Sequence, residues 1–187
     1  MRRWLIVCAG LVLFATACDP TEPGVDEREV AIYGAVFEAI YRAELGDPPW
    51  HTFEQVILND RICEVGREFA GHPEVGEVVV AGYGERAVCQ DPFSAREQAA
   101  LLAALSGLPG ARFTSEPDEV GDQIADGDLG GIGLLLLVGP IKGDGDRVEV
   151  PAASVCGHLC GRWMTFVVER GDGSWEVTGT TGPFGIV

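Results

Sequence analysis

The stretch that most constrains the fold spans residues 131–181, where apolar or alternating runs are separated by short turns rich in glycine and aspartate. Residues 134–138 and 163–168 are almost entirely apolar, whereas residues 148–152 and 175–179 alternate. Glycine and aspartate are typical of tight turns, and strands joined by tight turns pair antiparallel. This stretch therefore predicts a C-terminal antiparallel β-meander.

Two of these runs also predict where their strands lie in the sheet. Residues 134–138 are apolar at every position, which indicates a central strand covered by helix. Residues 148–152 alternate, which indicates a strand with one buried face. Pro151 lies within the alternating run, and proline favours an edge or a bulge because it lacks a backbone N–H.

A stripe of apolar residues at helical spacing predicts an amphipathic helix over residues 28–45. Its members are Val30, Tyr33, Phe37, Ile40 and Tyr41. Asp26 is a candidate cap for the start of the helix, and Gly46 follows its last residue. A tyrosine can donate to an oxyanion in an active site, but core aromatics with a hydroxyl at the rim are commoner. We therefore interpret Tyr33 and Tyr41 as core residues.

A second helix is predicted from its start. Ser94 and Glu97 have the spacing of a capping box, in which each side chain binds the backbone N–H of the other residue. Residues 98–105 then form the helix. Residues 52–59 and 111–115 have the composition of strands.

The remaining stretches carry weaker patterns. Residues 61–90 are ambiguous, with a short strand indicated over 77–81, and residues 116–128 read as a polar, acidic connection. No internal repeat or second domain is indicated. We therefore expect residues 28–187 to form a single α+β domain, in which two helices pack on a curved antiparallel sheet.

The N-terminus has the pattern of a secretory signal peptide. Two arginines precede a short apolar run over residues 4–14, and residues 15–18 read Ala-Thr-Ala-Cys. This ending resembles the lipobox of bacterial lipoproteins, in which the cysteine is lipidated on sulfur and becomes the mature N-terminus. The resemblance implies a signal peptide over residues 1–17 and a lipid anchor on Cys18. An ordinary signal peptide with a chance cysteine is the alternative.

The segment after the lipobox implies a location. Residues 18–27 comprise the lipidated cysteine and a polar, proline-containing stretch that is typical of a flexible tether. Asp19 resembles an inner-membrane retention signal of diderm bacteria. We expect a cell-envelope protein anchored on the outer face of the cytoplasmic membrane, or on the periplasmic side of an envelope membrane.

The net charge narrows the range of partners. The chain carries a formal charge of −16, and removal of the two arginines of the signal leaves 11 basic against 29 acidic residues, a charge of −18. Such a surface repels phosphate backbones, which argues against nucleic acid. The expected partners are the membrane, through the anchor, and an envelope protein or a small ligand.

Four cysteines remain after the signal is removed, and four cysteines in an exported protein indicate two disulfides, with three possible connectivities. Cys156 and Cys160 flank a predicted hairpin tip, so that a local bridge is geometrically reasonable. Cys63 and Cys89 would then pair with each other. The rival is a zinc site with His158 between Cys156 and Cys160, but this spacing fits no common zinc pattern well.

The C-terminal third resembles the tail of small uncharacterised secreted bacterial proteins, and more generally the cystatin-like/nuclear transport factor 2-like superfamily. The resemblance rests on Cys156-Gly-His-Leu-Cys160-Gly, Phe166-Val-Val-Glu-Arg170, Asp172-Gly173 and Trp175-Glu-Val177. It implies helices packed into a curved sheet, often around a conical pocket. That superfamily contains both enzymes and binding modules, so the fold alone implies no function.

The residues that carry chemistry are sparse. His51, His72 and His158 all fall in predicted loops, and no hydrolase, phosphate-binding or metalloprotease motif is present. The aspartates at 122, 126, 128, 144 and 146 do not fit a calcium-binding loop. We therefore expect no cofactor and no catalytic or metal residues. The preferred function is a non-enzymatic binding or interaction module; the alternative is a small pocket enzyme of the isomerase/dehydratase type.

Overall fold

The computed structural model describes residues 26–46, 52–64, 89–127, 132–157 and 160–186, which form three helices and seven strands. The helices are α1 (Glu27–Leu45), α2 (Ala95–Ala104) and α3 (Pro117–Asp126). The strands are β1 (Gln55–Cys63), β2 (Cys89–Pro92), β3 (Arg112–Thr114), β4 (Gly133–Val138), β5 (Arg147–Gly157), β6 (Cys160–Gly171) and β7 (Ser174–Ile186). The predicted class is confirmed: helices pack on a curved, mostly antiparallel sheet.

The sheet has the order β2-β1-β4-β5-β6-β7, with β3 paired to β1 beside β2. Strands β4 to β7 form the predicted antiparallel meander. Strand β1, however, runs parallel to β4 and to β3, which the expectation of an antiparallel sheet did not include. The reason lies in the connections, because α2 and α3 return the chain across the sheet before β3 and β4 begin.

Helices cover both faces of the sheet, and this explains the continuous apolar run of β4. Leu134 and Leu136 face α1 and α2, whereas Leu135 and Leu137 face α3; all four are fully buried. Full burial of one such side chain contributes about 1.5–3 kcal/mol. The central position predicted for this strand is confirmed.

The first two helices begin where the sequence places their caps. The side chain of Asp26 accepts hydrogen bonds from the backbone N–H groups of Arg28 and Glu29, at 2.9 and 3.1 Å. The N–H of Glu97 donates to Ser94 Oγ at 3.3 Å, and the N–H of Ser94 donates to the Glu97 carboxylate at 2.8 Å. Both predictions are confirmed.

Helix α3 lies where a polar connection was expected, so that interpretation of residues 116–128 is wrong. Val120 and Ile124, four residues apart, are its buried apolar side chains and pack against the second face of the sheet. Pro117 stands in the first turn and Gly127 ends the helix with a φ of 77°. These are ordinary start and stop signals, but two apolar residues among many acidic ones give a weak periodicity.

Pro151 does not mark an edge strand, because β5 lies between β4 and β6. The pairing of β4 with β5 ends at Val138 and Ala152, and the Pro151 carbonyl accepts a hydrogen bond from Gly139 at 2.7 Å. Within a strand, the N–H and C=O of one residue point to the same side, so the absent N–H faces the end of β4. The proline therefore removes no bond from the pairing with β6.

The glycine at position 185 of β7 is required by an aromatic neighbour. A Cβ added to Gly185 would overlap the indole ring of Trp163, whereas a Cβ added to Gly179 on the same strand would meet no atom within 4 Å. We expect Gly185→Ala to lower the free energy of unfolding by about 1–3 kcal/mol through overpacking. Gly179→Ala should change it little. Urea denaturation of both variants tests this, and equal stabilities would contradict the contact.

Candidate functional site

A buried polar cluster lies where the last turn of α1 crosses β5 and β6. We call Glu44, Ser154 and Arg162 the Glu44 cluster. Glu44 is 6% exposed and Ser154 is fully buried. The Ser154 hydroxyl donates to Glu44 Oε1, and Arg162 Nε lies 2.6 Å from the same oxygen. A carboxylate is thus held away from water by one cation and one hydroxyl.

The sheet register brings the two strand residues together. Ser154 on β5 is directly opposite Arg162 on β6, and the backbone N–H of Arg162 donates to Ser154 Oγ at 3.3 Å. Among the described residues, the Nε of Arg162 is not aligned as a hydrogen-bond donor to any group, so its contact with Glu44 is chiefly ionic. The backbone fixes the hydroxyl, and the hydroxyl and the guanidinium fix the carboxylate.

A disulfide lies beside this cluster. Cys156 and Cys160 are bonded to each other where β5 meets β6, with 5.0 Å between their Cα atoms, and both residues are half-buried. The Glu44 carboxylate and the two sulfurs lie within 4.8 Å of one another. Three such groups can hold a metal ion when the cysteines are thiolates, but sulfurs joined in a disulfide are not thiolate ligands. The disulfide interpretation is the one that the structure supports.

The second disulfide differs in its surroundings. Cys63 is bonded to Cys89 and joins β1 to β2, and Cys63 is only 1% exposed. The side-chain amide of Asn59, which is also buried, lies 3.3 Å from the Cys63 sulfur. Both pairings are those that the sequence leads us to expect. The Cys63 end of this disulfide lies in the interior of the domain, whereas Cys89 is half-buried on the edge strand β2.

Tyr33 is a core residue, as its place on the apolar stripe predicts. It is 2% exposed and meets Phe93 edge-on, with 5.4 Å between the ring centres. Burial raises the pKa of Tyr33 and the nearby Glu29 carboxylate raises it further, although a hydrogen bond with the backbone of Ile141 opposes both. The hydroxyl therefore stays protonated at neutral pH.

Glu29 lies on the first turn of α1, among other carboxylates. Partial burial raises the pKa of Glu29, and the carboxylates of Asp26 and Glu97 raise it further, while Arg28 opposes them. Arg28 itself stacks over Trp175 at 5.3 Å from the ring centre. These contacts tie the start of α1 to α2 and β7, and they are structural.

Several residues named from the sequence lie outside the described residues. They are Cys18, His51, His72, Asp128 and His158, together with the signal peptide over residues 1–17 and the short strand over 77–81. Among the described aspartates, Asp122 and Asp126 are exposed on α3, and Asp144 and Asp146 are exposed in the connection from β4 to β5. Within the described ranges, no helix is long and apolar enough to cross a bilayer.

The Glu44 cluster was not anticipated from the sequence, although one signal for it exists. Glu44 continues the apolar stripe of α1, because it lies eleven residues after Tyr33, seven after Phe37 and four after Ile40. An acidic residue on an apolar stripe needs a buried partner. Its partners come from β5 and β6, more than a hundred residues away along the chain, and local patterns do not identify them.

Comparison of the chain with protein-family models, with curated proteins and with solved structures finds no match.

Proposed function

We propose that this chain is a lipid-anchored protein of the bacterial cell envelope and that its folded domain acts as a binding or interaction module. The observation that carries the proposal is the Ala-Thr-Ala-Cys sequence at residues 15–18, directly after a short apolar run. Only residues 19–25 separate Cys18 from Asp26, the cap of α1. A folded domain then follows the anchor after a short polar tether.

Two further properties support an exported location. The domain contains two disulfides, Cys63–Cys89 and Cys156–Cys160, and disulfides persist in oxidising compartments outside the cytoplasm. The charge of −18 that remains after removal of the signal keeps the domain away from anionic headgroups. The acyl chains, and not the protein surface, would therefore provide the membrane attachment.

The packing beneath α1 favours a binding module over a pocket enzyme. An isomerase or dehydratase of the nuclear transport factor 2-like type would need a cavity between helix and sheet that contains a general base. Here that space holds fully buried apolar side chains from both layers, among them Val36, Phe37, Ile40, Leu134 and Leu136. A partner would then meet the outer surface of the domain.

Acyl labelling tests the anchor. Cells expressing the full chain, Cys18→Ala or Cys8→Ala are fed an alkyne fatty acid, and the purified proteins are assayed for label and for partition into detergent. We expect the native chain and Cys8→Ala to carry label and enter the detergent phase, because Cys8 lies within the signal. Cys18→Ala should lose the label. Label retained by Cys18→Ala, or unchanged partition, would contradict the proposal.

Crosslinking in intact cells tests the binding role. We expect the anchored protein to yield one defined adduct with an envelope component, and competition with excess purified native domain should abolish the adduct. A variant lacking both disulfides provides the comparison, because removal of both native bridges is expected to destabilise the fold strongly. An adduct of equal yield from that variant, or no adduct at any crosslinker length, would contradict a specific interaction.

A further inference from the structure

The two disulfides of this domain are built differently. Cys63–Cys89 closes a loop with a sequence separation of 26 and joins a buried residue, Cys63, to a half-buried one, Cys89. Cys156–Cys160 has a separation of only 4, and both of its residues are half-buried. A short loop gains less stability from closure than a long one, and attack on either sulfur of the second disulfide releases a half-buried cysteine, not one in the interior. The second disulfide is thus the one suited to reaction.

A buried carboxylate lies next to this reactive disulfide. The carboxylate of Glu44 is within 4.8 Å of both sulfurs, a distance that one bridging water spans. A carboxylate in that position can accept a proton from a thiol, and the thiolate is the form that attacks a disulfide. The chain contains many acidic residues, but this one lies on the apolar stripe of α1 and is turned inward.

The rest of the Glu44 cluster holds the carboxylate in place. Arg162 and Ser154 both contact the same oxygen, Oε1. The other carboxylate oxygen, Oε2, has no described hydrogen-bond partner among the residues that the structure covers. It can therefore accept a proton from one of the two sulfurs. Such a fixed acceptor needs no reorganisation when the thiol ionises.

We propose that Cys156 and Cys160 undergo thiol–disulfide exchange with cysteine pairs of other exported proteins, and that Glu44 is the proton acceptor. The inference goes beyond the binding role and shares with it only the exported location. It would make the β5–β6 junction a redox-active site, whereas Cys63–Cys89 stays a structural bridge.

The exchange is a two-electron reaction with a partner dithiol as the reductant. A partner thiolate attacks the sulfur of Cys160, the Cys156–Cys160 bond breaks, and its electron pair leaves on Cys156, which packs against the main core. The second partner thiolate then attacks the mixed disulfide and releases Cys160. The partner ends as a disulfide and the protein as a dithiol, whose two thiolates take up from water the two protons that the partner thiols lost. In reverse, Glu44 takes the proton of the attacking cysteine.

The first test compares the two disulfides within one molecule. The full-length protein, purified in detergent, is treated with dithiothreitol at pH 7, and free thiols are alkylated at intervals and located by peptide mass mapping. We expect Cys156–Cys160 to open at least about 100-fold faster than Cys63–Cys89, because attack on the half-buried Cys89 would have to release the Cys63 thiolate in the interior, where burial disfavours the charged form. Equal rates, or faster opening of Cys63–Cys89, would overturn the proposal.

The second test isolates the role of Glu44. The partly reduced protein is mixed with oxidised glutathione, and the rate of mixed-disulfide formation is followed from pH 6 to pH 9. We expect Glu44→Gln to be about 10- to 100-fold slower at pH 6.5, the usual range for loss of a general base. The difference should vanish near pH 9, where thiols ionise unaided.

Matched controls separate chemistry from structure. Glu38→Gln changes an exposed glutamate on the same helix and should leave the pH profile unchanged. Glu44→Asp keeps the carboxylate and should recover part of the rate at pH 6.5. A Glu44→Gln profile that matches the native one, or that is lowered equally at every pH, would reduce Glu44 to a structural residue. Because the assay uses detergent, its outcome does not depend on acylation of Cys18.

Discussion

Replacement of Arg162 by methionine is expected to lower the free energy of unfolding by about 3 kcal/mol, because it leaves the Glu44 carboxylate buried without its cation. Arg162 Nε lies 2.6 Å from Glu44 Oε1, and the two side chains are 25% and 5% exposed. Breaking a buried ion pair costs more than the pair contributes, since the remaining charge has lost both its partner and its water. Methionine keeps most of the arginine's volume, so the loss of stability measures the effect of removing the charge.

A surface pair between β5 and β6 provides the control. Arg147 and Glu169 also approach to 2.6 Å, but their side chains are 60% and 40% exposed. Arg147→Met should cost about 0.5 kcal/mol or less, the usual value for an exposed pair. Urea denaturation of the two variants compares them directly, and equal losses would show that Glu44 is not a buried charge.

A second variant shows whether the loss of stability comes from the unpaired, buried charge of Glu44. When Glu44 is also replaced, in the double variant Glu44→Leu with Arg162→Met, no charge is left in the interior. Replacement of a buried ion pair by apolar residues is often neutral or stabilising, so we expect the double variant to recover most of the lost stability. A double variant less stable than Arg162→Met alone would contradict this explanation.

Removal of the Cys63–Cys89 disulfide should destabilise the domain more than removal of Cys156–Cys160. Closing the longer loop restricts the unfolded chain more, which gives about 3.5 kcal/mol for Cys63–Cys89 and about 2 kcal/mol for Cys156–Cys160 in the chain-entropy account. The buried packing of Cys63 adds to the difference. A disulfide that reacts in exchange must open without unfolding its protein, and the smaller value is compatible with that.

Paired alanine variants measure these contributions. Cys63→Ala with Cys89→Ala, and Cys156→Ala with Cys160→Ala, are compared with the native protein by chemical denaturation under non-reducing conditions. Alanine replaces both partners, so no free thiol is left to rearrange. The expected order is native, then the Cys156/Cys160 variant, then the Cys63/Cys89 variant. The reverse order would show that the short bridge is the main structural one.

Local signals were sufficient for the parts of the fold that depend on local chemistry. The helix predicted over residues 28–45 is α1, and the capping box at Ser94 and Glu97 begins α2. Caps and periodic stripes lie within one or two turns of each other, so the sequence contains the whole interaction. The same holds for the meander of β4 to β7, where the short connections from β5 to β6 and from β6 to β7 force antiparallel pairing.

Relations between distant residues were not accessible in the same way. The parallel pairing of β1 with β4 depends on two helical crossovers, one of which, α3, has only Val120 and Ile124 as buried apolar side chains. The strand expected over residues 52–59 begins and ends a few residues later, at Gln55 and Cys63, because its bounds are set by its partners. Strand bounds are therefore a tertiary property here.

The candidate site also combines a local relation, which the sequence predicts, with a long-range one, which it does not. The Cys156–Cys160 pair was expected because both cysteines lie at one hairpin tip, and this relation is local. The neighbourhood of that pair was not expected, since Glu44 reaches it across a sequence separation of 110 residues to Ser154. Only the packing of α1 across β5 and β6 places a carboxylate beside the sulfurs. The reactive part of the site is thus a product of the tertiary fold.

The mass of the N-terminal peptide of the mature protein tests the proposed anchoring most directly. The protein is purified from membranes in detergent, digested with protease, and its N-terminal peptide is sequenced by mass spectrometry. The lipobox-like residues 15–18 predict a peptide that begins at Cys18 and carries acyl chains on that residue. A mature chain that begins at another residue, or an unmodified Cys18, would contradict the account of this protein as a lipid-anchored envelope protein.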